Sequence, residues 1–111
     1  SMAEIGRRRL ERLGYQVEAK TNPIEALELF RADPDQFDLV ITDMTMPHIT
    51  GDKLVKEILK IRPDMPTILC TGFSEKIDEE KAKKIGVRQY IEKLFDRGKL
   101  SRLVRKVLDH P

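Results

Sequence analysis

Apolar residues fall into short runs along the chain, and their spacing switches repeatedly between the helical period and the strand period. Ala3, Gly6, Leu10 and Leu13 recur at intervals of three and four, which predicts one face of a helix, and Gly14 is placed to end it. Tyr15, Val17 and Ala19 then alternate with Gln16, Glu18 and Lys20, the pattern of a short strand with one face more exposed. Asn22-Pro23-Ile24-Glu25 combines a capping residue, a proline at the first helical position and a glutamate at the third. A second helix is predicted from there until Pro34 stops it.

From Phe37 to Ile41 only Asp38 interrupts the apolar run, as in strands of parallel sheets covered on both faces, and the run ends abruptly at Thr42-Asp43. Leu54, Val55, Ile58 and Ile61 restore helical spacing. Pro63 and Pro66 separate that helix from the run Thr67-Ile68-Leu69-Cys70-Thr71. Ile77, Ala82 and Ile85 predict another helix closed by Gly86. Val87 to Lys93 predicts a strand, and Leu100, Leu103, Val104, Val107 and Leu108 give a final amphipathic helix.

Helix and strand alternate throughout, which predicts an α/β fold: a doubly wound parallel sheet with right-handed crossovers and helices on both faces. Ligand chemistry in such sheets gathers at the carboxyl ends of the strands. The residues predicted there are Asp43, Thr71 and Lys93, an acid, a hydroxyl and a cation at one rim.

The chain has 111 residues, enough for one domain with a core of its own, so residues 1–111 are read as a single unit. Its net charge is +2, from 21 basic and 19 acidic residues, which gives no reason to expect nucleic acid or an anionic membrane as partner. Arg7-Arg8-Arg9 reads as a solvated helix face. No apolar run approaches the ~18 residues that cross a bilayer. Cys70, the only cysteine, cannot form an internal disulfide and sits in an apolar run, so a reducing, cytoplasmic setting is expected.

An aspartate at a strand end is by itself most often a turn former. The residues around Asp43 change that reading. Asp43-Met44-Thr45-Met46-Pro47-His48-Ile49-Thr50-Gly51 resembles the loop D-x-x-M-P-x-x-x-G of response regulator receiver domains, the phosphoacceptor modules of two-component signalling. Thr71 and Lys93 stand where that family keeps its hydroxyl residue and its lysine, and Tyr90 matches its aromatic switch position. The resemblance runs from the first helix to the last. It implies a flavodoxin-like sheet of order 2-1-3-4-5 and a phosphorelay role, in which a histidine kinase or phosphotransfer protein passes a phosphoryl group to Asp43 and a conformational switch signals to a partner or output domain.

A carboxylate can attack phosphorus to form an acyl phosphate. The dianionic group then needs fixed positive charge and hydrogen-bond donors, which Lys93 and Thr71 can supply. The resemblance also implies magnesium, held in part by Asp43 and the backbone carbonyl of Thr45, and places the backbone of Gly72 beside the phosphoryl oxygens. His48 has no second metal-type residue spaced to join it and is assigned no role.

The sequence departs from the family at two places. Receiver domains begin with a strand ending in two adjacent acids that help to hold magnesium, whereas the first element legible here is the helix that follows that strand. Asp38 is no substitute, because at ~3.3 Å per residue it lies about 17 Å along its strand from Asp43. The expected metal site is therefore short of carboxylates, and labelling by phosphodonors is expected to be slow. The sheet is likewise expected to be without its central strand, which would leave edges open to dimerisation or strand exchange. Leu94 replaces the family's usual proline after the lysine, so a trans peptide is expected there; Phe95 matches the family.

Two other readings compete. A pseudo-receiver would keep the fold as a protein-interaction module without phosphorylation, and the missing acids favour it while Asp43, Thr71 and Lys93 oppose it. A haloacid-dehalogenase-type phosphohydrolase also attacks phosphate with an aspartate, but wants a second aspartate where this chain has Thr45. The chain is accordingly expected not to be an enzyme. Cys70-Thr71-Gly72-Phe73-Ser74 resembles the receivers of hybrid sensor kinases.

Overall fold

The computed structural model describes residues 2–44, 48–71, 83–92 and 97–110. Helix α1 (Met2–Arg12) ends where predicted: Gly14 adopts φ 96°, and the Tyr15 amide donates back to the Leu10 carbonyl at 3.2 Å. A left-handed φ of this size favours glycine. Helix α2 (Pro23–Ala32) starts as the sequence indicates, with Pro23 in its first turn and the Asn22 Oδ1 accepting from the Ile24 amide at 2.9 Å. A 3-10 turn follows at Pro34–Gln36. Then come β1 (Val40–Asp43), α3 (Gly51–Ile61), β2 (Thr67–Thr71), β3 (Gln89–Glu92) and α4 (Arg97–Asp109). Between β2 and β3, residues 83–85 are helical, and Gly86 leaves them at φ 103°. The predicted contribution of Ile77 and Ala82 to that helix lies outside the described residues.

The strands form one parallel sheet in the order β1-β2-β3. Val40 pairs with Thr67 and Asp43 with Cys70; Ile68 pairs with Gln89 and Thr71 with Glu92. Successive β2 side chains point to opposite faces, so the core divides in two. Ile68 and Cys70 join Leu10, Ile91, Leu100, Val104 and Val107 under α1 and α4. Leu69 joins Val55 and Val87 on the α3 side, next to the cluster of Phe30, Leu54, Ile58 and Met65 that seats α2 on α3. Helices therefore cover both faces, as in a doubly wound fold.

Three sequence expectations need correction. Tyr15, Val17 and Ala19 are more buried than their neighbours, as predicted, and Tyr15 and Val17 pack on the first core cluster. The segment nevertheless forms no ladder with any described strand. Its alternation reflects packing on one face alone, and a strand needs a hydrogen-bonding neighbour as well. Secondly, β1 begins at Val40 rather than Phe37, because the 3-10 turn takes up the preceding chain and Phe37 instead stacks on Phe30 with ring centroids 6.1 Å apart. The last strand likewise begins at Gln89 rather than Val87, and its predicted end at Lys93 lies outside the described residues. Thirdly, the apolar faces of the end helices are narrower than their spacing suggested: Leu13 lies past the end of α1 and is 57% exposed, and Leu103 is only partly buried beside Leu100, Val104 and Val107.

Thr67 is fully buried at the start of β2, and its hydroxyl has no hydrogen-bond partner among the described residues. An orphaned buried hydroxyl loses its water without recompense. Thr67→Val keeps the shape and removes the polar atom. It is expected to stabilise the fold by about 1 kcal/mol, read as a rise of roughly 4 °C in the thermal midpoint; a fall would mean that the hydroxyl is satisfied in solution.

Candidate functional site

Asp43 is the last residue of β1, partly exposed at the carboxyl rim of the sheet, with the buried Thr42 before it. The Thr42 hydroxyl donates to the Asp43 carbonyl at 3.1 Å. Beyond Asp43 the ladder runs one step further, since the Met44 amide donates to the Cys70 carbonyl at 2.8 Å. The Met44 carbonyl in turn accepts from the Gly51 amide at 2.7 Å, which closes the loop between β1 and α3. Within that loop His48 is exposed and adopts φ 74°, a left-handed conformation uncommon for residues other than glycine. The Thr50 hydroxyl is turned to the Asp52 carboxylate and makes no capping bond to α3.

Thr71 ends β2 and pairs with Glu92, the last residue of β3. Parallel pairing thus sets the ends of all three strands on one rim, and Asp43 and Thr71 belong to it as predicted. Lys93 follows Glu92 directly in sequence but, with Gly72, Leu94 and Phe95, lies outside the described residues, as does Thr45. Tyr90 lies within β3 and pairs with Leu69, three positions before Lys93. Asp38 lies before β1, on the far side of that strand from Asp43. Among the described residues no three His, Cys, Asp or Glu side chains gather as a metal site. None of their helices is long and apolar enough to cross a membrane.

Sequence reasoning passed over one residue that holds β1 in place. Arg62, just past the end of α3, donates through Nη1 to the carbonyls of Phe37 at 2.7 Å and Pro34 at 3.1 Å. Its Nε also reaches Asp64 at 3.2 Å, but Asp64 is 81% exposed, and an ion pair so open to water contributes little. The carbonyl bonds carry the effect, because they tie the end of α3 to the chain leading into β1. In the sequence Pro63 marks only the end of the helix; nothing local signals that the Arg62 guanidinium reaches back across 25 residues.

The profile described as "Response regulator receiver domain" matches residues 1–105. The chain belongs to that family. The receiver domain is 38% identical over 101 residues to the DNA-binding transcriptional regulator NtrC of Azospirillum brasilense, covering 90% of this chain and 20% of that protein. It therefore spans only a small part of such relatives. Among solved structures, a response regulator receiver domain protein from Clostridium thermocellum superposes with a TM-score of 0.91 at 30% identity, over 97% of this chain and 86% of that one. The receiver domain of the sensor histidine kinase PA1611 from Pseudomonas aeruginosa, whose structure has magnesium coordinated in the active-site cleft, shares the fold at TM-score 0.81 and 23% identity, covering 96% of this chain and 87% of that one. Family membership establishes the flavodoxin-like fold and a phosphoacceptor role in two-component signalling, and sets aside the haloacid-dehalogenase alternative.

Removing the Arg62 guanidinium would strand two partly buried carbonyls of the receiver domain. Arg62→Ala is expected to cost about 1–3 kcal/mol in urea unfolding and to speed hydrogen exchange at the Val40 amide. Arg62→Lys should recover only part of this, because a lysine ammonium lacks the planar fork of the guanidinium. An unchanged unfolding midpoint in Arg62→Ala would show that β1 is held without the clamp.

Proposed function

We propose that Asp43 is the phosphoacceptor of this receiver domain, with Thr71 and Lys93 as the groups that receive the charge brought by the phosphoryl group. What supports this reading is the parallel register, in which the last residues of β1 and β2 share a rim and Lys93 follows the last residue of β3. A carboxylate oxygen of Asp43 attacks the phosphorus of a phosphohistidine on a kinase or phosphotransfer protein. The oxygen–phosphorus bond forms as the nitrogen–phosphorus bond breaks, and the departing imidazole nitrogen takes up a proton. The Lys93 ammonium and the Thr71 hydroxyl then favour the acyl phosphate by charge and hydrogen bonding. Tyr90 is the proposed aromatic member of the ensuing switch. The receiver domain acts in this scheme as an acceptor and relay within the cytoplasm rather than as an enzyme, and its output passes through a partner or an attached domain.

Magnesium bound at such a site would offset the repulsion between the carboxylate and the incoming phosphate. In this chain Asp43 and the carbonyl of Thr45 are the candidate ligands. Hard cations prefer several oxygen ligands, and the described residues gather no trio of metal-binding side chains. They do not complete a magnesium site by themselves, and no step above passes through the ion.

Treatment with a small acyl phosphate and magnesium, followed by mass spectrometry, tests the assignment. Labelling of this chain is expected to be slow or absent. A version extended upstream by a strand ending in acidic residues should take one phosphoryl group on Asp43, and Asp43→Asn in that version should take none. A label on any other residue, or undiminished labelling of Asp43→Asn, would contradict the proposal. Rapid labelling of the unextended chain on Asp43 would show that the upstream acids are dispensable.

A further inference from the structure

Gly51, the first residue of α3, lies against the backbone of Asp43. A Cβ built on Gly51 would overlap the Asp43 carbonyl oxygen, and would come to 2.8 Å from its carbonyl carbon and 2.9 Å from Leu69 Cδ1. The backbone at Gly51 is ordinary helix, so conformational freedom is not what glycine supplies there. What it supplies is space.

Neither side of this contact can easily retreat. On the Asp43 side, the next amide is committed to the ladder through its bond to Cys70. On the α3 side, Leu54 and Val55 are 3% and 0% exposed in the core, and the Gly51 amide is bonded to Met44. Leu69, the third neighbour, is fully buried. Interiors packed this densely accommodate an added atom by moving backbone.

We infer that Gly51 is a positioning residue for phosphoryl transfer: the absence of its side chain lets the first turn of α3 press on the Asp43 peptide and so fixes where the Asp43 carboxylate stands relative to Thr71. This rests on Asp43 being the acceptor, although the packing itself does not. Any side chain at position 51 must either turn the Asp43 peptide or lift the start of α3, and both displace the carboxylate from its neighbours on the rim. Gly86 supplies the contrast. Among the described residues a Cβ there would meet only Leu59 Cδ1, at 2.8 Å, on a backbone at φ 103°, so Gly86→Ala is strained without touching Asp43.

The test compares Gly51→Ala, Gly86→Ala and the double variant Leu69→Ala/Gly51→Ala. Two readouts are taken: the backbone amide resonances of Asp43 and Met44, and the labelling rate in the upstream-extended version. Gly51→Ala is expected to shift those resonances more than any outside the β1–α3 loop and to slow labelling by about 10- to 100-fold, the scale of a displacement near 1 Å at a reacting group. Gly86→Ala should lower the thermal midpoint and change neither readout. The double variant relieves the Leu69 contact but not the Asp43 contact, so it should stay displaced and slow; if Gly51→Ala fails to fold in plain buffer, both readouts for all variants are taken in a stabilising osmolyte such as trimethylamine oxide. Wild-type resonances and rate in a folded Gly51→Ala, or their recovery in the double variant, would overturn the inference. Should Asp43→Asn still label, the acceptor assignment falls, while the Asp43 and Met44 resonances continue to decide the positioning.

Discussion

The site depends on β2 being hydrogen-bonded in parallel on both sides. Its partners are β1 along Val40–Asp43 and β3 along Gln89–Glu92, and its interior residues Ile68 and Leu69 are fully buried between the two helical layers. A parallel strand carries side chains alternately to opposite faces, so a slip of one residue would move Ile68 and Cys70 out of one core cluster and Leu69 out of another. Burial on both faces therefore enforces the register. The register in turn brings the ends of all three strands to a common rim, where Asp43 and Thr71 stand in neighbouring strands.

Around that rim, backbone contacts restrain the residues next to Asp43. Met44 is pinned by its amide to β2 and by its carbonyl to α3, so the residue after Asp43 has little freedom. At the opposite end of β1, Arg62 binds the carbonyls of Phe37 and Pro34 and fixes the approach to the strand. Asp43 is thus held from both ends of a four-residue strand. A phosphoacceptor gains from such restraint, because transfer depends on placing a weak nucleophile correctly as well as on stabilising the charge that follows.

Much of this was legible in the sequence where the signal was local. Asn22-Pro23 named the start of α2, and Gly14 named the end of α1. The abrupt change from an apolar run to Asp43 marked the rim, and the D-x-x-M-P-x-x-x-G pattern, with Thr71 and Lys93 downstream, pointed to the family that the comparisons then established. What was misjudged depended on contacts distant in sequence. Alternation at Tyr15 to Ala19 reports one more buried face and says nothing of a hydrogen-bonding neighbour, so the pattern alone does not separate a packed segment from a strand. The role of Arg62 arises only once α3 is docked on the sheet and leaves no local mark; Gly51 is visible as the last residue of the pattern that opens with Asp43, but the contact between their backbones is not. Leu103 shows a similar limit: helical spacing identifies a stripe but not which of its members are fully covered.

The claim on which the rest turns is that Asp43, Thr71 and Lys93 meet at one rim. Comparing amide and side-chain NMR shifts of the receiver domain with those of Asp43→Asn, which removes a charge while keeping the shape, tests it most directly. Beyond the immediate neighbours of Asp43 in sequence, the largest changes should fall on Thr71 and Lys93, with Thr67 and Arg88 at the other end of the sheet unaffected. Changes centred on Thr67 and Arg88, or none at Thr71 and Lys93, would contradict the account.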